Sequence, residues 1–324
     1  SSPSVSQPIS MRLLILTPLL LLGASPSIFA QDTDYLFTVD SQATLFNWDL
    51  TAAIGNIVET PPTFTVDGAA TGMLGVSASG ALVSGVLAGG GVLRCPDLFF
   101  QIPNPLPFLP DLANGSVIGM EIRVQSDPFS VDPTTGDFTA IIEMVPFAGI
   151  ATWSGILGSG NSLMAGSSSG PILSNGRLIR NGSDIIMELP FDASIPFPLG
   201  INGRLWGTLY AVANSNLPNI PVLETALGLA LGIWDIFTVR NANPGGPVGL
   251  GVSLTGMGST PVPPWGVALD IDSAFQVGNI LLADPNGTAT WSLYIPPHLP
   301  MWKSVWMQAA MPGATTNVSG NFTY

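Results

Sequence analysis

The residue types that most often carry out catalysis are scarce in this chain. Among 324 residues there is one histidine, His298, and one cysteine, Cys95. Serine hydrolysis needs a base with a pKa near neutrality, which is usually a histidine. His298 lies in the segment PPHLP, which is typical of a surface loop, and no GxSxG segment opens a helix after a strand. Cys95 follows an apolar run, so we interpret it as a small core residue. We expect no enzyme based on histidine or cysteine.

Metal-binding patterns are incomplete. Zinc needs three or four protein ligands, mostly His or Cys, and only two such side chains are present. Calcium takes oxygen ligands, and pairs of acids do occur at turns, but each pair lacks the full run of ligands of a calcium loop. Aspartates that cap their own turns are the favoured interpretation, with calcium as the alternative. We expect no metal and no cofactor. The acid pairs are Asp132 with Asp137, Asp270 with Asp272 and Asp32 with Asp34.

Carboxylates alone can hydrolyse glycosides when two of them face each other across a groove. We expect Glu121 and Glu143 to lie on solvent-facing sides of strands. A carbohydrate-active protein therefore stays an alternative, and no catalytic residue is assigned. The acids on strands or at their ends are Glu121, Glu143, Glu188, Asp270 and Asp272.

Two groups of apolar side chains are candidates for a ligand or partner surface. The segment QIPNPLPFLPD, residues 101–111, is a stiff loop that a central strand cannot accommodate. We favour a loop folded over the end of the core, with an exposed apolar edge as the alternative. A spacing of four places Trp302 and Trp306 on one side near Lys303, where they form a core cluster or, alternatively, a platform for sugars. The candidate surface residues are Phe99, Phe100, Leu106, Phe108, Trp302 and Trp306.

Strands must position these side chains. Val248, Leu250, Val252 and Leu254 alternate with small residues, and residues 288–295 repeat this pattern with apolar side chains at every second position. A period of two predicts half-buried strands. Pro and Asn-Gly in residues 283–287 predict a turn between strands. These segments predict a small antiparallel β-unit.

That unit resembles a C-terminal β-sandwich module found on many secreted proteins of environmental bacteria. The resemblance covers about the last third of the chain, and it implies an accessory extracellular domain without assigned chemistry. No catalytic residue carries over from it. The residues that carry the resemblance are FTVRNANPGG at 237–246, VSLTGMGST at 252–260, ILLADPNGTATW at 280–291 and VWMQA at 305–309.

The region before it also predicts strands separated by turns. Ile122 and Val124 point away from Glu121, Arg123 and Gln125, an alternation typical of a strand with one wet face. Residues 82–93 are apolar and Gly-rich, which predicts central strands packed on both sides. The fold class is all-β: an N-terminal sandwich or partly closed barrel at 31–215, a linker at 216–221 and a C-terminal Ig/fibronectin-like sandwich at 222–324.

Export is predicted by the N-terminal residues. Ser1–Ser10 precede the first methionine and are interpreted as an over-extended reading frame or a tag remnant. Met11 and Arg12 precede an apolar run, residues 13–22, and Ala30 is a suitable cleavage residue. This is the pattern of a signal peptide, too short for a membrane span, so we expect a secreted, periplasmic or cell-surface protein starting at Gln31.

The net charge limits the classes of molecule that this protein can bind. The chain carries a formal charge of -13 with only eight basic residues, and this excludes a basic surface for nucleic acid. We expect an exported, non-enzymatic β-protein with a structural or binding role at the cell surface or in the matrix, and a protein or glycan partner. One alternative is a carrier of an apolar, lipid-like ligand in the N-terminal domain; the other is the carbohydrate-active protein.

Overall fold

The computed structural model describes residues 31–52, 55–106, 108–156, 158–196 and 201–324, and the expected signal peptide lies outside these ranges. The described residues form an all-β protein, as predicted, with one short 3-10 turn at Pro263–Trp265. None of the helical residues described forms a segment long and apolar enough to cross a membrane.

The described N-terminal part consists of strands separated by turns, as the sequence predicted. They are β1 (Gln31–Val39), β2 (Leu45–Ala52), β3 (Gly55–Asn56), β4 (Val58–Thr60), β5 (Thr63–Phe64), β6 (Asp67–Val76), β7 (Leu82–Arg94), β8 (Leu98–Ile102), β9 (Ala113–Ser126), β10 (Phe129–Ser130), β11 (Asp137–Ser154), β12 (Gly160–Leu163), β13 (Ile172–Asn181), β14 (Asp184–Pro196) and β15 (Asn202–Asn214).

Eight of these strands close into an antiparallel ring. The pairing runs β1–β6–β7–β9–β11–β13–β14–β15 and returns from β15 to β1. A ring of eight strands leaves an interior just wide enough for side chains to fill. Phe37, Ile122 and Ile142 are among the fully buried residues of that interior.

The C-terminal strands lie in two facing layers. β16–β17–β22 is a separate three-stranded sheet, and β21–β18–β23–β25 belong to the large sheet that also contains the N-terminal strands. Phe237 and Trp291 of the first sheet pack with Leu250 and Met307 of the second in a separate core. These strands are β16 (Val222–Thr225), β17 (Trp234–Arg240), β18 (Pro247–Ser253), β19 (Met257–Val262), β20 (Val267–Ile271), β21 (Phe275–Leu282), β22 (Ala289–Tyr294), β23 (Ser304–Met311), β24 (Ala314–Thr315) and β25 (Ser319–Phe322).

The two parts are in direct contact through strands, core residues and charges. The backbone N–H of Gly91 in β7 donates to Val318 O at 2.8 Å, next to a parallel bridge with β25. A side chain could not fit at Gly91, whose Cβ would lie 2.2 Å from Ala69 O, and this confirms the expected close backbone approach in residues 82–93. Val145 and Phe147 pack against Trp306 and other C-terminal residues in a third core.

Alternation in the C-terminal strands is confirmed for β22 and wrong in one respect for β18. Thr290, Ser292 and Tyr294 are exposed on β22, as a half-buried strand requires. β18 is instead covered on both faces, since Gly249 and Gly251 are buried. Glycine carries no side chain, so the pattern of residue types could not reveal that its second face is covered.

Candidate functional site

The proline-rich loop and its flanking strand expose three of the four predicted surface residues. Phe99 and Leu106 are each 48 % exposed, and Phe108 is 79 % exposed. Phe100 is buried in the first core, so its assignment to the surface was wrong. The cause is the alternation of β8, which turns Phe99 outward and Phe100 inward.

The two predicted platform tryptophans do not share a surface. Trp306 lies in β23, is buried against Phe147 and donates its indole N–H to Glu121 Oε2 at 2.5 Å. Trp302 precedes the strand in a turn, with φ at 59°, and its ring stacks on Phe322. Their inclusion in one surface was therefore wrong, because β23 begins only at Ser304 and spacing along a strand does not apply to Trp302.

A polar cleft of about 480 Å³ lies between the ring and the first residues of the C-terminal part. Arg123 of β9 lines it and is 2 % exposed, which corrects the expected wet face of that strand. Burial lowers the pKa of Arg123 to about 10. Its guanidinium donates to Thr225 O at 2.7 Å, Thr225 Oγ1 at 3.1 Å, and Ala226 O and Gly320 O at 3.3 Å.

These hydrogen bonds reach the side of β16 that does not pair with β17, and two asparagine side chains bond to backbone groups there as well. Asn317 accepts from Leu223 N at 2.8 Å, and Asn321 accepts from Gly228 N at 2.6 Å and donates to Ala226 O at 2.7 Å. Together with Arg123, these amides satisfy backbone groups that a neighbouring strand would otherwise pair. We assign Arg123 a structural role at this edge.

One of the five candidate acids, Glu143 of β11, lines the cleft, whereas Glu121 is absent from the lining. Two acids that the sequence reasoning did not single out, Glu224 of β16 and Asp127, line it as well. Glu143 accepts from Gln125 at 2.9 Å and from Ser168 at 2.5 Å. Glu224 lies 3.4 Å from the Arg240 guanidinium.

A second pocket, of about 370 Å³, opens between the two C-terminal sheets and is apolar. Its lining includes no Lys, Arg, His, Asp or Glu. Two lining residues carry a hydroxyl group. Thr323 is buried and its hydroxyl donates to Pro300 O, whereas Tyr294 is partly exposed to solvent. The lining residues are Leu229, Phe237, Leu250, Val252, Leu254, Phe275, Val277, Gly278, Leu293, Tyr294, Ile295, Pro296, Leu299, Val305, Met307 and Thr323.

An exposed aromatic pair lies on the outer face of β17 and β22, and of its two residues only Tyr294 is a lining residue of this pocket. Trp234 of β17 and Tyr294 of β22 are cross-strand partners with ring centroids 5.7 Å apart, 66 % and 46 % exposed. Sequence reasoning missed Trp234, although the alternation of residues 234–240 around buried Phe237 and Val239 is enough to turn it outward. The ambiguity of residues 222–234, which fit both helix and strand, hid that signal.

A much smaller void borders the first core. A void of about 20 Å³ touches Trp48, Leu98 and Met120 of its core. That volume is about the size needed for one water molecule and far below that of a ligand pocket. Val86 and Leu87, within residues 82–93, line the polar cleft outside the ring rather than an internal cavity.

The remaining candidate residues have local roles. Cys95 packs against the first core, and burial raises the pKa of its thiol, which disfavours the nucleophilic thiolate. His298 is exposed in its loop, as expected. Asp132 caps its own turn by accepting from the backbone of Thr134 at 2.7 Å and Thr135 at 3.3 Å.

The other acid pairs are engaged by protein groups. Asp34 is buried and accepts from Arg240 at 3.1 Å and Asn241 at 2.8 Å, while Asp270 accepts from Gln308 at 3.0 Å. Within the described ranges, no group of three His, Cys, Asp or Glu side chains is arranged to bind a metal ion.

Comparisons of the chain with protein-family models, with curated proteins and with solved structures found no match.

Proposed function

We propose that this chain is an exported, non-enzymatic β-protein that binds an apolar group at the cell surface or in the surrounding matrix. Support comes mainly from the pocket between the C-terminal sheets, whose 370 Å³ lies within the usual range of ligand sites, about 300–1,000 Å³. The sequence offered an apolar ligand in the N-terminal domain as an alternative; in this proposal the ligand lies between the C-terminal sheets instead.

The same proposal includes two domains, 31–215 and 222–324, joined by residues 216–221. The second domain would be an Ig/fibronectin-like sandwich of the secreted-module type. Its support is the separate core between β16–β17–β22 and β21–β18–β23–β25.

Binding is tested with N-phenyl-1-naphthylamine, a neutral apolar probe whose fluorescence rises on transfer from water. We expect saturable binding by the natural protein and at least a tenfold weaker affinity for Val277→Phe, because the larger ring fills the pocket. Leu282→Phe is the matched control, since it adds a ring at a 70 % exposed position of the same strand.

Binding by Val277→Phe equal to that of the natural protein would place the probe elsewhere and refute the pocket. Absence of probe binding by the natural protein would refute the apolar-binding function itself. Circular dichroism of both variants must match the natural protein for these comparisons to apply.

Export is tested separately, by N-terminal sequencing of the protein recovered from outside the cytoplasm of an exporting host. A mature start at Gln31 is expected. An intact N-terminus beginning at or before Met11 would contradict processing after Ala30.

A carbohydrate-active protein is the second candidate, supported by Glu143 and Glu224 lining one cleft. Two carboxyls across a cleft are the minimum requirement for glycoside hydrolysis. This candidate predicts release of reducing sugar from a polysaccharide panel, abolished by both Glu143→Gln and Glu224→Gln. Turnover that survives both substitutions would exclude these two carboxyls.

A further inference from the structure

The chemistry around the apolar pocket restricts the head group of its ligand. A carboxylate or phosphate at the mouth would meet no cationic side chain among the lining residues. An anion near an apolar surface without a counter-charge is penalised by desolvation. The formal charge of -13 adds a long-range repulsion of anions. A neutral head group avoids both penalties.

The aromatic pair, which is joined to the pocket through Tyr294, suits a head group with hydroxyls. Trp234 and Tyr294 turn their rings to solvent, and Tyr294 belongs to both the pair and the pocket lining. An aromatic face packs against C–H groups, while the indole N–H and phenol O–H can hydrogen-bond. A sugar or polyol offers both C–H faces and hydroxyl edges.

Beyond the aromatic pair, the outer face of the same sheet carries further hydroxyl groups. Ser292 is exposed beside Ile236, and the hydroxyls of Thr238 and Thr290 lie 3.3 Å apart on the next row. Between the pair and that row the side chains of β17 and β22 are uncharged, so an uncharged polar group would meet hydroxyls there. Glu224, the cross-strand partner of Thr238, brings a carboxylate to the row itself.

We propose that the pocket takes one alkyl chain of a neutral, hydroxyl-bearing amphiphile whose head group lies against Trp234 and Tyr294. This rests on the proposed apolar-binding function and names the ligand class of that site. A volume of 370 Å³, near the lower end for ligand pockets, fits a single chain.

Three ligands with the same chain test the head group: octan-1-ol, octyl β-glucoside and octanoate, each below its critical micelle concentration at neutral pH. Their affinities are measured by displacement of N-phenyl-1-naphthylamine from the full-length mature protein. Octyl glucoside is expected to bind at least tenfold more tightly than octanoate. Trp234→Ala is expected to weaken octyl glucoside about tenfold and to change octanol less than twofold.

Leu173→Ala is the control, since it removes an apolar side chain that is 67 % exposed on β13 of the ring and does not line the pocket, and it should change none of the three affinities. Octanoate binding as tightly as octyl glucoside would overturn the proposal, as would an unchanged glucoside affinity in Trp234→Ala. If octanol itself fails to bind, the apolar-binding function is refuted; if octanol binds and the head groups rank otherwise, only the neutral head group is refuted.

Discussion

Glu121 and Arg123 lie two residues apart on β9 and both face the C-terminal part, yet burial has opposite consequences for them. Arg123 stays within reach of several carbonyl oxygens, so its positive charge is matched by hydrogen bonds. Glu121 accepts a hydrogen bond from Trp306, and burial raises its pKa more than that bond lowers it. Folding therefore disfavours the charged form of the Glu121 carboxyl relative to the unfolded chain.

Glu121 should therefore make the free energy of unfolding decrease as the pH rises. Its folded-state pKa is raised by burial first; Arg94 lowers it and Asp67 raises it by smaller amounts. Because the folded state binds this proton more tightly than the unfolded chain, the contribution is fully present below the unfolded pKa and is lost as the pH rises through the folded pKa.

Urea unfolding of Glu121→Gln across that pH range checks this expectation. Glutamine has no proton to lose and keeps an oxygen acceptor for Trp306, so the variant should gain stability relative to the natural protein as pH rises. Asp132→Asn should show the opposite slope, since backbone N–H groups of Thr134 and Thr135 lower the pKa of Asp132. A pH-independent difference between Glu121→Gln and the natural protein would contradict the role of this carboxyl.

At the scale of elements, β16 is a strand whose second edge is covered by side chains instead of by another strand. It pairs with β17 on one side, and on the other side its backbone groups bond to side chains of Arg123, Asn317 and Asn321. Covering an edge in this way prevents unwanted strand pairing and joins the two parts of the chain.

Replacing Arg123 with methionine should destabilise the protein by about 2–4 kcal/mol, since hydrogen bonds from charged donors contribute roughly 1.5–3 kcal/mol each and relief of the buried charge offsets part of the loss. Arg204→Met is the matched control. Arg204 pairs with Asp192 at 2.6 Å with both side chains 55 % exposed, and solvent screens such surface pairs so that they contribute little to stability. Equal losses in urea unfolding of the two variants would contradict the edge role.

Local periodicity predicted the elements well and their environment poorly. The alternation of Ile122 and Val124, the turn at residues 283–287 and the inward face of β22 are all confirmed, because each depends on neighbours in sequence. Arg123 resembles a solvent-facing residue in any local pattern, and its burial depends on residues about 100 and 200 positions away. The aromatic pair and the pocket likewise depend on the pairing of β17 with β22, which sequence periodicity does not contain.

Across the described residues, the third core and a partly buried ion pair link the N-terminal ring to the C-terminal sheets. The third core combines Val145 and Phe147 of β11 with Trp306 and Val318 from the C-terminal residues. Asp34 of β1, which is buried, pairs with Arg240 of β17 at 3.1 Å. Breaking a buried pair or exposing a shared core is costly for both sides, so neither part keeps its full stability without the other.

This mutual burial predicts a single cooperative unfolding transition of the full chain. Far-ultraviolet circular dichroism reports on all strands, while tryptophan emission weights the C-terminal part, in which Trp291 and Trp306 are buried. The two signals should have coincident midpoints in urea, as two-state unfolding requires. Phe147→Ala, which removes a ring from the shared core, should lower both midpoints together, whereas Phe191→Ala within the ring should do so only if the parts unfold as one. Separate midpoints, with Phe191→Ala shifting only the dichroism signal, would instead show that residues 31–215 and 222–324 unfold independently.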